Sequence, residues 1–243
     1  MVIRVSNKPN RSWLLVPMSK PDEVARAAQS GADVVVLDLV EFVADKDQAT
    51  ARAQVRAAIT QVRAAGPRVY VQTTPASSEA DLRACVGAAL SGMVLSRVES
   101  VTQMQAVDNL LILLEKECGL SEGSIDIVAA LETARGNQDA YAVVTASPRV
   151  RAITLGRADL VMDLRPEPSG EFHLAPYLME RLIIIARAAN VVPLGAWWRA
   201  PDRGLLSTAE NTLKAAQRGR AAGFKGALCL RTDQIESLNQ AYA

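Results

Sequence analysis

The sequence predicts a (β/α)8 barrel, with residues 1–243 forming one domain. Three observations carry this prediction. Eight short apolar runs recur along the chain at intervals of roughly 20 to 40 residues, the length of one strand–helix unit. The segments between the runs have helical period. Several runs are apolar on both faces, as parallel strands covered by helices must be. A doubly wound open sheet is the competing arrangement. It would more often carry a glycine-rich phosphate loop after its first strand, where this chain reads VPMSKPD.

Each element has its own justification. The first run, Trp13–Val16, leads into PDEVARAAQSG, where Val24, Ala27 and Ala28 make one apolar face. Pro21 suits the first turn of that helix and Gly31 its C-cap. The second run, Val34–Leu39, passes through Asp38 into DKDQATARAQVRAAITQVRAAG, with Asp45 or Asp47 as N-cap and Gly66 as the stop. The third, Val69–Gln72, precedes SSEADLRACVGAALSG, read as a further helix. Met93–Leu95, Ile125–Leu131, Val150–Leu155 and Val191–Leu194 supply strands four to seven. The helical segment STAENTLKAAQRGRAAG, from Ser207 to Gly223, precedes the last run, Ala227–Leu230. The least regular stretch, Arg165 to Phe172, reads as a surface loop beside a strand end.

Composition excludes several function classes. A hydrophobic content of 49% supports one sizeable core. A formal net charge of +1, with Lys and Arg scattered, points to neither nucleic acid nor an anionic membrane surface. No apolar run reaches the roughly 18 residues of a membrane helix, and MVIRVSNKPNR lacks the apolar core of a signal peptide. The expected location is the cytoplasm. Cys85, Cys118 and Cys229 are odd in number and form no CxxC, which suggests neither a disulfide framework nor a zinc site.

Barrel chemistry belongs at the C-terminal strand ends. Those ends hold Pro17 to Lys20, Asp38 and Glu41, Gln72 to Thr74, Ser96 to Glu99, Glu132 to Gly136, Gly156 to Asp159, Trp197 with Trp198, and Arg231 to Asp233. Glu132 ends DIVAALE, and Asp159 follows VRAITLG by three residues. Strands five and six would bring these two acids toward one point. Two carboxylates with water and a substrate oxygen suit a hard ion such as Mg²⁺. Other roles stand beside this one: Glu132 as an N-cap of the following helix, and Asp38 as partner to a Lys or Arg. The single histidine, His173, reads as a loop or surface residue, and the tryptophans as core or interface anchors. Nothing like GxSxG surrounds a serine.

Five segments occur together in order: RSWLLVPMSKPDEVARAAQSGADVVVLDLVEFV, DLRACVGAALSGMVLSRVES, ALETARGN, ASPRVRAITLGRADL and AAGFKGALCLRTDQIESLNQAY. On these the chain resembles the citrate lyase β-subunit-like family of the HpcH/HpaI aldolase superfamily. The resemblance implies a (β/α)8 barrel, a homotrimer or hexamer, and Mg²⁺-dependent carbon–carbon bond cleavage or formation. The implied substrates are 3-hydroxyacyl-CoA thioesters such as malyl-, citramalyl- or citryl-CoA. Glu132 in LETARG and Asp159 in LGRADL match the family's metal-binding carboxylates, 27 residues apart. Mg²⁺ held there can chelate a 2-oxo or 2-hydroxy acid and stabilise charge developing at its oxygen. Asp38, Glu41, Arg135 and Lys20 fall at expected substrate contacts, and Gln72, Arg97 and Arg231 at expected catalytic positions.

The departures from the family pattern are specific. LDLEDAV becomes LDLVEFV, so Val40 replaces an acid and Glu41 stands for Asp. VRVN becomes VQTT, which puts Gln72 where an arginine grips the substrate carboxylate, and that exchange is not conservative. PKVES becomes SRVES, with Arg97 for lysine; GxEDL becomes GRADL, with Ala158 for glutamate; IHP becomes LRT, with Arg231 for histidine; VPGS becomes VPMS, with Met18 for glycine. Longer members continue into a lid that delivers an aspartate to a neighbouring subunit, whereas this sequence ends at Ala243. The expectation is a Mg²⁺-dependent lyase in which Arg97 or Arg231 replaces the lost arginine, and in which Lys20 and Arg11 lie near a CoA phosphate. A CoA-free aldolase of pyruvate or another oxo acid is one alternative. A non-catalytic barrel that binds an acid or a partner protein is the other.

Overall fold

A computed structural model describes residues 10–156, 160, 163–164, 175–197 and 207–243. Eight parallel strands run through them: β1 (Ser12–Pro17), β2 (Val34–Asp38), β3 (Arg68–Thr73), β4 (Gly92–Leu95), β5 (Asp126–Leu131), β6 (Val150–Leu155), β7 (Val192–Leu194) and β8 (Ala227–Cys229). The helices among the described residues are α1 (Pro21–Ala28), α2 (Asp45–Ala64), α3 (Ser78–Cys85), α4 (Val101–Glu117), α5 (Ala134–Gln138), α6 (Ala140–Thr145), α7 (Ala175–Ala188), α8 (Ala209–Ala222) and α9 (Ile235–Ala241). Each strand pairs with the next in parallel, and β1 also pairs with β8. Between β7 and β8, the Lys225 amide donates to the Pro193 carbonyl at 3.0 Å and the Gly195 amide to the Gly226 carbonyl at 2.8 Å. These bonds close the ring. The predicted barrel is the observed one.

Strand alternation sorts the apolar residues into two layers. One set, including Trp13, Leu15, Val34, Val36, Tyr70, Val94, Val128, Ala130, Ala152 and Leu194, fills the barrel interior. The other, including Leu14, Val35, Leu37, Val71, Met93, Leu95, Ile127 and Ile153, packs outward against Val24, Ile59, Leu82 and Leu111 of the helices. Each fully buried Leu, Ile or Val contributes about 1.5–3 kcal/mol. Aromatic rings plug the N-terminal end, with Trp13 and Tyr70 edge-on at 4.9 Å. Tyr70 needs the bare backbone beside it, since a Cβ on Gly92 would meet its ring at 2.3 Å.

A buried charge cluster fixes α4 against the strands that carry the mouth acids. Arg149, just before β6, donates to both carboxylate oxygens of Glu115 on α4 at 2.7 Å, and to Asp108 at 2.5 Å. Glu115 also accepts the amides of Gly123 and Ile125, both at 2.9 Å. Burial alone would raise the Glu115 carboxyl, but these donors hold it below the ordinary range.

Several helix ends differ from expectation. Neither Asp45 nor Asp47 caps α2; the N-cap is Ala44, and both acids lie in the first turn, where they complement the helix dipole. The predicted third helix stops at Cys85 because Val86 is extended. Gly31 lies beyond the C-cap Gln29, at φ 78. Arg165 to Phe172 and His173 lie outside the described residues. No helix among the described residues is long and apolar enough to cross a membrane.

Candidate active site

The inward face continues to the C-terminal mouth with a change of chemistry. Asp38, Gln72, Ser96, Glu132 and Thr154 each lie two residues beyond an interior apolar residue (Val36, Tyr70, Val94, Ala130 and Ala152). Period-two alternation therefore points all five toward the barrel axis. All are buried. Adjacent strands β2 to β6 thus replace an apolar filling with a polar lining where the barrel opens.

Glu132 is the most constrained of them. Its Oε2 accepts the Arg97 amide at 3.1 Å. Its side chain lies against Gly156, where an added Cβ would meet Glu132 Cγ at 2.2 Å and Oε1 at 2.6 Å. The alternative role as helix cap is taken by Thr133, whose Oγ1 accepts the Gly136 amide at 3.0 Å. Arg97 adopts φ 53, a left-handed conformation uncommon outside glycine. Its guanidinium meets Glu41 at 3.2 Å, which ties the loop after β4 to the loop after β2. The pair joins two residues expected to contact substrate separately.

Asp38 shapes the loop after β2. Its carboxylate accepts the amides of Val40 at 3.1 Å, Glu41 at 2.9 Å and Phe42 at 2.7 Å. Both oxygens are thus committed to shaping the loop, although burial still holds the carboxyl above its ordinary range. Val40 packs against the core under that loop.

The other expected cations are paired elsewhere or exposed. Leu228 and Leu230 pack on the interior layer, so alternation turns Arg231 outward. There it pairs with Asp233 beside a crevice of about 310 Å³ lined by Leu14, Val16, Glu23 and Arg26. Lys20 is exposed and pairs with Glu23 on α1 at 3.0 Å. Arg11 precedes β1, at the N-terminal end of the barrel, and pairs with Asp33 at 2.8 Å, remote from any ligand at the mouth. Arg135 is exposed on α5. Asp159, Ala158 and Trp198 lie outside the described residues, while Trp197 packs partly on the core. Thr154 escaped the sequence reading, though the alternation from Ala152 in VRAITL carried the signal.

The donor set suits a hard divalent cation. Asp38 already accepts three amides, whereas Glu132 accepts the Arg97 amide on Oε2 and is the described inward carboxylate that could hold a metal. No cluster of three potential ligands occurs among the described residues. Mg²⁺ needs no such cluster, because it binds through one or two carboxylates and keeps several waters.

Comparison with known proteins identifies the family. The model of the HpcH/HpaI aldolase/citrate lyase family matches residues 11–232. The citrate lyase subunit beta of Haemophilus influenzae is 28% identical over 239 residues, covering 97% of this chain and 80% of that protein. The L-malyl-CoA/beta-methylmalyl-CoA lyase of Cereibacter sphaeroides is 30% identical over 169 residues, covering 67% of this chain and 53% of that one. Among solved structures, Mycobacterium tuberculosis protein CitE in complex with magnesium and pyruvate superimposes with a TM-score of 0.74. That match is 25% identical and covers 96% of this chain and 90% of the other.

Proposed function

Because the chain belongs to the HpcH/HpaI aldolase/citrate lyase family, whose matched relatives are named carbon–carbon lyases, we propose a Mg²⁺-dependent lyase that cleaves a 3-hydroxyacyl-CoA thioester, or runs the reverse. In the cleavage direction the 3-hydroxyl loses its proton and the adjacent carbon–carbon bond breaks. Its electron pair passes to the thioester fragment, which takes up a proton at carbon. The products are an acyl-CoA and a 2-oxo acid.

The observation that carries this reading is the seating of Glu132. Its carboxylate is buried at the mouth, aimed by the Arg97 amide and by Gly156. Glu132, with Asp159 from the LGRADL motif, would hold Mg²⁺, which when bound polarises the oxygen on the carbon that becomes the oxo group. Arg97 aims that carboxylate through its backbone, and its guanidinium, at the loop edge with Glu41 and off the inner wall, is placed to meet the anionic CoA end of the substrate. Asp38 keeps the β2 loop in place, and this reading gives it no direct role toward substrate. Arg231 pairs with Asp233 and Lys20 with Glu23, and this reading assigns neither a role in the chemistry.

Malyl-CoA and citramalyl-CoA, each incubated with protein and Mg²⁺ and followed by chromatography of the CoA esters, provide the test. Metal-dependent release of acetyl-CoA, lost in Glu132→Gln, is the expected result. Release that persists in Glu132→Gln would refute the assignment.

A further inference from the structure

Three polar side chains at the mouth have no task within the fold. Gln72 at the end of β3 is 4% exposed, Ser96 just after β4 is 0% exposed, and Thr154 on β6 is 8% exposed. None of these side chains makes a hydrogen bond to another described residue, and the Ser96 hydroxyl is sealed from solvent as well. Native interiors contain few groups like the Ser96 hydroxyl, because a buried donor or acceptor without a partner forfeits its hydration; of the three side chains it alone is both sealed and unpartnered. All three face the axis on strands around β5, which carries Glu132. Neighbouring strands lie only about 4.8 Å apart.

We propose that Gln72, Ser96 and Thr154 form a recognition site for an uncharged hydrogen-bonding group on the oxo-acid fragment: a hydroxyl, carbonyl or carboxamide in place of a second carboxylate. This inference rests on reading the mouth as an oxo-acid site. The chemistry of the three groups selects the ligand. An amide and two hydroxyls both donate and accept, and all are neutral. Among the described residues, no cation faces them. Arg97 is engaged with Glu41 at the loop edge, and Arg231 with Asp233 outside the barrel. The charges close to them are the carboxylates of Glu132 and of Asp38, which is in register with Gln72. A second substrate carboxylate placed there would be desolvated without a guanidinium partner and would face a like charge. A neutral group avoids both penalties and satisfies the unpaired hydroxyls.

Calorimetric titration of the Mg²⁺-saturated protein with oxaloacetate, its 4-amide (2-oxosuccinamate) and pyruvate tests the proposal. The first two share the chelating end and differ only in carboxylate against carboxamide; pyruvate lacks the distal group. The wild type is expected to bind the amide at least tenfold tighter than oxaloacetate. Gln72→Arg should reverse that order, and Thr154→Val should weaken the amide severalfold while leaving pyruvate unchanged. Tighter binding of oxaloacetate by the wild type would overturn the inference. So would pyruvate binding as tightly as the amide, although in that case the oxo-acid reading survives. Failure of all three ligands to bind would overturn both.

Discussion

Replacing Gly156 with alanine should disable the proposed metal site while leaving the barrel folded. Gly156 has no positive φ, so its backbone accepts alanine. The new Cβ, however, would meet Glu132 Cγ at 2.2 Å, against an ordinary contact of 3.4–4 Å. The Glu132 side chain must therefore retreat by about 1.2 Å or rotate away, breaking the alignment that the Arg97 amide sets at 3.1 Å. Loss of such an orienting contact typically lowers metal affinity about 10–100-fold. Overpacking one methyl costs about 1–3 kcal/mol, which for a chain of this size lowers Tm by a few to about 10 °C. Gly87→Ala is the control, since nothing lies within 4 Å of its added Cβ. Titration with Mg²⁺ beside a thermal melt gives both quantities. A Gly156→Ala protein that binds Mg²⁺ as the wild type does would refute the placement of the metal at Glu132.

Further outcomes follow from the same structure. Arg149→Met strands the buried Glu115 carboxylate without its bidentate partner, and a chemical-denaturation curve should show a loss of about 3–5 kcal/mol. Glu115 sits below its ordinary 4.5 in the native state, so the unfolded chain takes up that proton first as pH falls through this value. The pair's stabilisation is complete at neutral pH and drains away below about pH 4.5, a loss that melts across pH should show and that Arg149→Met should abolish. Asp38→Ala leaves the Val40, Glu41 and Phe42 amides without their acceptor, and amide hydrogen exchange should show those three sites opening faster with β2 still protected. Arg97→Ala keeps the amide that aims Glu132, so Mg²⁺ affinity should hold within about twofold, while thioester cleavage falls about 10–100-fold, the scale of a lost charge-assisted hydrogen bond.

What the sequence discloses here is periodicity, and periodicity reaches further into the site than first reading suggests. The runs around Val34 and Val69 mark strands because their apolar residues repeat on both faces, which composition alone exposes. The same alternation, extended two residues past Ala152 or Val94, turns Thr154 and Ser96 inward, and extended past Leu230 turns Arg231 outward. The motif resemblance puts Arg231 at the mouth, while in the structure it pairs with Asp233 beside a crevice lined by Leu14 and Val16. Other features depend on the backbone path rather than on pattern. Asp38 closes on three amides because the chain folds back over it, and a strand-terminal aspartate reads the same whether it caps a loop or holds a ligand. The Gly156–Glu132 contact joins positions in different strands and became visible only through their adjacency. The helix boundaries at Ala44 and Val86 turned on local φ and ψ that no side chain announced.

On the proposed function, a carboxylate seated by Gly156 and the Arg97 amide builds a metal-dependent oxo-acid site. Calorimetric titration of pyruvate into the wild type and Glu132→Gln, each with and without Mg²⁺, tests it most directly. Pyruvate should bind the wild type only when Mg²⁺ is present and should not bind Glu132→Gln in either condition. Equal pyruvate binding with and without the metal, or metal-dependent binding that survives in Glu132→Gln, would contradict it.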